Sequence, residues 1–231
     1  NIERVVADSF GAMSPTVSWY DEHSTFVGSI ANERTNKAYF FIASPTLQSM
    51  FYNNNYESVT TKKLLIDSII EVDTVNSDSL PTSQLVVVDK WGVIDQKGNV
   101  FSGTPTMPFQ TFTAVDASDY RLGMVMTAVA NDGQVLFSSS IQSIYENEVT
   151  LYHNVACQNF DDVYAVQFIH PNRPLNFDPD RQISAINIID DLLLWTDNKN
   201  EPKKINIKRC IEGTNQDGLT QTQLKLSDPK D

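Results

Sequence analysis

The chain has 231 residues, 41% of them hydrophobic, and 29 acidic residues against 17 Lys and Arg give a net charge of −12. That apolar content excludes global disorder. No apolar run is long enough to cross a bilayer as a helix. Tight nucleic-acid binding needs a basic footprint, which this charge balance does not provide.

Twelve Phe, eight Tyr and many β-branched residues favour strands. Val5-Val6 and Val17 to Tyr20, separated by small and turn-forming residues, predict a strand or an N-terminal arm. Phe26 to Ile30 and Ala38 to Ile42 predict two strands, and the polar turn from Ala31 to Lys37 between them predicts a hairpin. Asn53 to Lys63 predicts a surface loop. Leu64 to Asp73 fits helix or strand by pattern. Leu85 to Asp89 is a β-branched strand that follows the breaker Pro81.

At Gly103-Thr104-Pro105-Thr106-Met107-Pro108 the composition shifts, which predicts a linker or extended crossover. Beyond it, strand character recurs at Phe112, Tyr120 to Met124, Val125 to Val129, Gly133 to Phe137, Ile141 to Tyr145 and Val149 to Tyr152. Asn131-Asp132-Gly133 is a tight-turn signal, because Gly takes positive φ freely. Glu146-Asn147-Glu148 predicts a second turn. Val163 to Ile169 returns to strand, and the proline-rich run Pro171 to Asp180 leads to the last hairpin. There, Leu192 to Trp195 predicts a buried strand, Thr196 to Asn200 a turn, and Ile205 and Ile207 the inward positions of a strand opened by Pro202. Leu219 to Leu226 alternates like one more strand.

No constellation of reactive residues stands out. His23, His153 and His170 are far apart and form no HExxH or HxH pattern. No Gly-x-Ser-x-Gly elbow and no phosphate-cradling glycine loop occurs. Asp161-Asp162, Asp178 with Asp180, and Asp190-Asp191 are the carboxylate pairs, the kind of pair a glycosidase sets across a sugar. Adjacent Asp190 and Asp191 point to opposite faces of a strand, so a turn is the better reading for them. Calcium ligands are conceivable at Asp178/Asp180 or Asp197/Asn198/Asn200, but the twelve-residue loop with its central Gly and final Glu is absent. Lys203-Lys204 with Lys208-Arg209 is the basic cluster, read as a solvated strand face or a contact for an acidic partner or nucleic acid. Trp19 and Trp195 have the chemistry to stack on sugars, although Trp195 within Leu-Leu-Leu-Trp reads as core. Cys157 and Cys210 form no CxxC pair and read as small buried residues. No catalytic, cofactor-binding or metal-binding residue is therefore assigned, and no cofactor is expected.

The stretch Leu194-Trp195-Thr196-Asp197-Asn198-x-Asn200-Glu201-Pro202-Lys203-Lys204-Ile205-Asn206-Ile207 resembles a blade segment of the tail nozzle or muzzle ("stabilisation") proteins of crAss-like and related short-tailed phages. The turn Asn32 to Lys37 before an aromatic strand resembles a propeller blade. So does Ser68 to Asp73, which the resemblance makes a strand. The order Arg121-Leu122-Gly123-Met124-x-Met126, then Ile141-x-Ser143-Ile144-x-x-Asn147-x-Val149-Thr150-Leu151, resembles a small β-module of phage structural proteins.

The resemblance implies an all-β fold: a partial β-propeller with an inserted small β-domain. Residues 1–102 would form an arm and blade strands, 103–158 the barrel- or sandwich-like insert, and 159–231 further blade strands. The simpler alternative for 103–158 is another blade with long loops. Two or three blades leave open faces, so the chain, which begins at Asn1 and stops in polar sequence, reads as a piece of a longer polypeptide. The implied role is structural: a virion protein in a homo-oligomeric ring that extends or closes the DNA-ejection channel. Its partners would be other tail ring proteins and the remaining propeller segments, with at most transient passage of DNA. An acidic wall suits such a conduit, although ordinary acidic solubility accounts for the charge as well. The alternative from another class is a glycan-binding or glycan-cleaving propeller used in host receptor recognition.

Overall fold

The computed structural model describes residues 24–44, 62–73 and 82–223. Trp19, His23, the N-terminal arm and most of the expected loop after Asn53 lie outside these. In chain order the elements are β1 (Thr25–Asn32), β2 (Lys37–Ala43), β3 (Lys63–Asp73), β4 (Ser83–Gln96), α1 (Lys97–Val100), β5 (Phe109–Thr113), β6 (Val125–Val129), β7 (Val135–Tyr145), β8 (Glu148–Val155), β9 (Ala165–Ile169), β10 (Ala185–Ile189), β11 (Leu192–Thr196), β12 (Lys203–Asn206) and α2 (Ile207–Glu212). The chain is all-β, and every recorded strand pair is antiparallel. Among the described residues no sheet closes into a barrel or a propeller ring.

The described residues fall into two compact units. The first holds 24–44, 66–73, 82–90 and 174–223; the second holds 62–65 and 91–173. The segment 103–158, expected as an insert, lies within the broader second unit.

In the first unit β1, β2, β3 and the first half of β4 are sequential neighbours. β1 and β2 join through the turn Glu33 to Asn36, where Asn36 takes φ 57°, a left-handed value that Asn tolerates. β3 and β4 are buried on both faces, so polar positions such as Asp67, Ser68 and Glu71 are inside along with Ile69 and Ile70. A separate three-stranded sheet, β10-β11-β12, contributes Leu193 and Trp195 to the same core as Phe41, Ile69, Val86 and Phe177. Ile189 pairs with Leu192, so Asp190 and Asp191 form a two-residue hairpin turn, with Asp190 at φ 54°.

In the second unit the end of β4 pairs with β9, followed by β6, β7, β8 and β5. β7 pairs with β6 over Val135 to Ser140 and with β8 over Ile141 to Tyr145. A register shift between Ile141 and Ser143 marks the bend at which it changes partner. An aromatic core fills the curve. The Phe101 ring lies 4.9 Å from Phe112 and 5.1 Å from Phe160, and Tyr120 stacks on Phe168 at 4.0 Å.

Several sequence expectations change. Tyr120 to Met124 is not a strand. It turns at Arg121 to Gly123, where Gly123 has φ 80°, and Tyr120 is inside because its ring stacks on Phe168. Ile207 does not continue β12 but starts α2. The Asn206 side chain accepts the Arg209 N–H at 3.0 Å, and Ile207, Cys210 and Ile211 then share one helical face. The described part of Leu219 to Leu226, residues 219–223, contains no strand. The expected turn from Ala31 to Lys37 is shorter, because Ala31, Asn32 and Lys37 pair in the ladder.

Candidate functional site

Among the described residues, an open cleft of about 1050 Å³ lies in the second unit. Three local structures build it. β4 ends at Gln96, and α1 starts with Lys97, whose backbone N–H donates to Tyr164 O at 3.2 Å. The turn Asn131-Asp132-Gly133 links β6 and β7, with Gly133 at φ 85° and the Asp132 carboxylate accepting the Gln134 N–H at 2.9 Å. A 3-10 turn, Phe160–Asp162, is capped by Asn159, whose side-chain oxygen accepts the Asp161 N–H at 3.1 Å.

Charged groups line this cleft, and those of Lys97, Asp132, Asp161 and Asp162 make local contacts. Lys97 Nζ donates to the carbonyls of Phe160 (3.2 Å) and Asp161 (2.9 Å), and it lies 3.4 Å from the Asp161 carboxylate. The Asp161 side chain is 89% exposed, so this ion pair contributes little. Asp162 accepts from Asn159 Nδ2 at 3.2 Å. The lining also includes the amide side chains of Gln96, Asn131 and Gln134 and the phenol of Tyr164. Among the described residues no group of three His, Cys, Asp or Glu side chains is placed to hold a metal ion.

The residues singled out by sequence are scattered rather than gathered. His153 is exposed on β8, and His170 Nδ1 makes a local contact to the Asn172 backbone at 2.8 Å. Asp178 accepts the Asp180 N–H at 3.1 Å and pairs with Arg181 and Lys199 at 3.5 and 3.6 Å. Asp197 holds the β11–β12 turn, accepting from Lys199 N, Asn200 N and Asn200 Nδ2 at 3.0, 2.8 and 2.6 Å. Partial burial pushes its carboxyl up, but these hydrogen bonds outweigh that and hold it down at about 2. Within the basic cluster, Lys203 Nζ donates to Leu175 O, Lys208 pairs with Asp191 at 2.9 Å, and Lys204 and Arg209 are exposed. Trp195 is core, edge-on to Phe41 at 5.5 Å and to Phe177 at 6.2 Å. Both cysteines are free, and burial pushes both thiols up, so neither has the lowered pKa of a reactive cysteine.

Buried carboxylates that no sequence motif marks form polar constructions in the first unit. Asp67, fully buried on β3, accepts from Ser44 N and Oγ at 3.0 and 3.1 Å with one oxygen and from Phe177 N at 3.0 Å with the other. Asp89 on β4 accepts the Leu175 N–H at 2.9 Å and faces Gln221 Nε2 at 3.4 Å. Glu71 takes Lys37 Nζ and Gln84 Nε2 (2.6 Å) on one oxygen and Tyr39 Oη (2.7 Å) on the other. Burial first, then the Glu71 hydrogen bond and charge, push the Tyr39 phenol up and keep it protonated. Their visible signal was acidic residues inside otherwise apolar runs, Leu64 to Val72 and Leu85 to Asp89. Asp67 and Asp89 fasten backbone N–H groups, and Glu71 gathers three side-chain donors.

No protein-family model, no curated protein and no solved structure matches the chain.

Proposed function

We propose that the chain is a structural component of a phage tail: part of a muzzle or nozzle ring whose blade-like β-sheets complete a propeller with strands from elsewhere in the assembly. The observation that carries this reading is how the 194–207 motif is used. Trp195 fills the core against Phe41 and Phe177, Asp197 holds the turn, Lys203 ties the strand to Leu175 O, and Asn206 caps α2. These four motif residues build the fold. The implied role is to extend or close the DNA channel, with acidic surface along which DNA slides without adhering.

Cryo-electron microscopy of the full-length gene product tests this. A ring around an axial channel, with further propeller strands flanking β10-β11-β12, is the expected result. A closed monomer with an occupied pocket would overturn it.

A second reading has one observation in its favour. The cleft of the second unit is lined by the amides of Gln96, Asn131 and Gln134 and by the carboxylates of Asp132, Asp161 and Asp162, groups that hydrogen-bond sugar hydroxyls. On that reading the chain belongs to a glycan-recognising module. Calorimetric titration with host-surface oligosaccharides separates the two: saturable heat that Asp161→Asn abolishes supports glycan recognition, and no heat removes it.

A further inference from the structure

We infer that the outer face of β7, β8 and β5 is a binding platform for a neutral polysaccharide. The face lies wholly within the second unit, shares no lining residue with the cleft and does not rest on the ring reading.

Strand register assembles this face. The core takes Ile141 from β7, Val149 and Leu151 from β8, and Phe109 and Phe112 from β5, so the residues that alternate with them point outward. Thr113 pairs with Glu148, and Glu148 with Tyr145. In the next row Thr111 pairs with Thr150, and Thr150 with Ser143. Tyr152, two residues on from Thr150, extends the same face. Tyr145 is 76% exposed and Tyr152 55%. Of these seven side chains six carry a hydroxyl, and Glu148 carries the one charge.

The two phenols stand on a fastened base. Tyr145 and Glu148 close a two-residue hairpin turn in which Glu146 takes φ 53°. Asn147 ties that turn down: its carbonyl accepts the Ala114 N–H at 2.7 Å, and its side-chain oxygen accepts the Ala117 N–H at 3.2 Å. The Thr111 and Thr150 hydroxyls meet at 3.3 Å in the row between the phenols, and Gln110 Nε2 donates to Leu151 O at 2.9 Å, joining β5 to β8 next to Tyr152. The row of Tyr145 and the position of Tyr152 are four residues apart along β8, roughly 13 Å at the rise of a strand. That span exceeds one sugar ring, so the phenols engage separate residues of an extended glycan.

A tyrosine offers a flat apolar ring to the C–H face of a pyranose and a phenol to its hydroxyls, and only two torsions are ordered when it binds. Ser and Thr hydroxyls both donate and accept, which matches the hydroxyls of a sugar. A protein partner calls instead for an apolar centre that can be desolvated, and these rows hold no aliphatic side chain. An acidic polysaccharide would meet Glu148 and a chain of net charge −12. The chemistry of the face therefore selects a neutral glycan.

Affinity electrophoresis in gels containing dextran, galactomannan or hydroxyethylcellulose tests the platform. The wild type should be retarded by at least one of them, and Tyr145→Ala/Tyr152→Ala should bind that polysaccharide about tenfold more weakly, the loss expected of two stacking contacts. Tyr145→Phe/Tyr152→Phe, which keeps both rings, should retain most of the retardation. Retardation by none of the three, or retardation that the double alanine variant keeps, would overturn the proposal. Should that variant run as an unfolded chain in a gel without polysaccharide, Ser143→Arg, which leaves both phenols and obstructs the row between them, decides: lost retardation supports the platform and unchanged retardation overturns it. Retardation abolished by Asp161→Asn would place the glycan in the cleft and overturn the platform in favour of that reading. Self-association of the wild type in sedimentation velocity that the double alanine variant loses, with no retardation in any gel, would make the face a contact between copies and overturn the proposal as well.

Discussion

The Asp67 carboxylate accepts the backbone N–H of Phe177 at 3.0 Å, joining residues 110 positions apart. Its other oxygen takes two donors from Ser44. One buried side chain thus fixes β3, the end of β2 and the approach to β10. Asp67→Ala leaves three donors facing an apolar hole, and buried donors without acceptors cost about 1–3 kcal/mol each. The expected loss is about 3 kcal/mol or more by chemical denaturation. Asp67→Asn should recover only part of it, because an amide presents one acceptor where the carboxylate presents two.

Trp195 gives the second prediction. It is the largest side chain that β11 places in the core of the first unit, wedged against Phe41 and Phe177. Trp195→Ala should cost about 3–5 kcal/mol, the usual range for emptying such a site. Trp195→Phe should cost clearly less. If Trp195 instead contacted a sugar, Trp195→Ala would leave the denaturation midpoint in place and alter only ligand binding.

Asp197 makes acid sensitivity measurable at one residue. Its folded-state carboxyl sits at about 2 against an ordinary 3.8. A lowered carboxyl pKa means that its stabilisation is complete above the unfolded value and is lost as pH falls through the folded one. The window therefore runs downward from about pH 4. Carboxyl-carbon NMR should show Asp197 titrating near 2. Asn200→Ala, which removes one of its donors, should move that midpoint upward.

Gly92 supplies a prediction in the second unit. A Cβ there would lie 2.7 Å from Leu65 Cδ1 and 2.9 Å from Ile169 Cδ1. Gly92→Ala overpacks this contact and should cost about 1–3 kcal/mol, even though alanine is the better strand former. A thermal midpoint equal to or above that of the wild type would show that Leu65 and Ile169 move aside freely.

Much of the local architecture was legible because it follows from short-range periodicity. The hairpin of β1 and β2, the Asn131-Asp132-Gly133 turn and the burial of Trp195 all depend on neighbours within a few residues. What failed did so for identifiable reasons. The strand expected over Leu85 to Asp89 continues to Gln96, with Asp89 and the following Lys90 both buried within it. Ile205-Asn206-Ile207-Lys208 alternates as a strand does, and Asn206 outweighs the pattern by capping a helix. The contacts of Gln216 and Gln221 with β4 were invisible because each spans 131 residues. No alternation or spacing in sequence encodes a side chain that reaches a distant strand. The cleft beside Lys97 was half visible: its Asn-Asp-Gly turn and its Asp-Asp pair were both noticed, but nothing in their separation along the chain joins them.

The interleaving of the two units fixes an order of events during synthesis. The second unit is complete in sequence once residue 173 has emerged from the ribosome, whereas the first still lacks Leu175, Phe177, Leu193, Trp195, Ile207 and Cys210. β1, β2, most of β3 and the first half of β4 are made early but must wait, with Phe41, Ile69 and Val86 uncovered, for the last quarter of the chain. The second unit is thus the one free to condense cotranslationally, since domains fold as units in the order in which they are made. Nascent chains stalled just past residue 173 should already resist protease across 91–173 while remaining cleavable across 24–44.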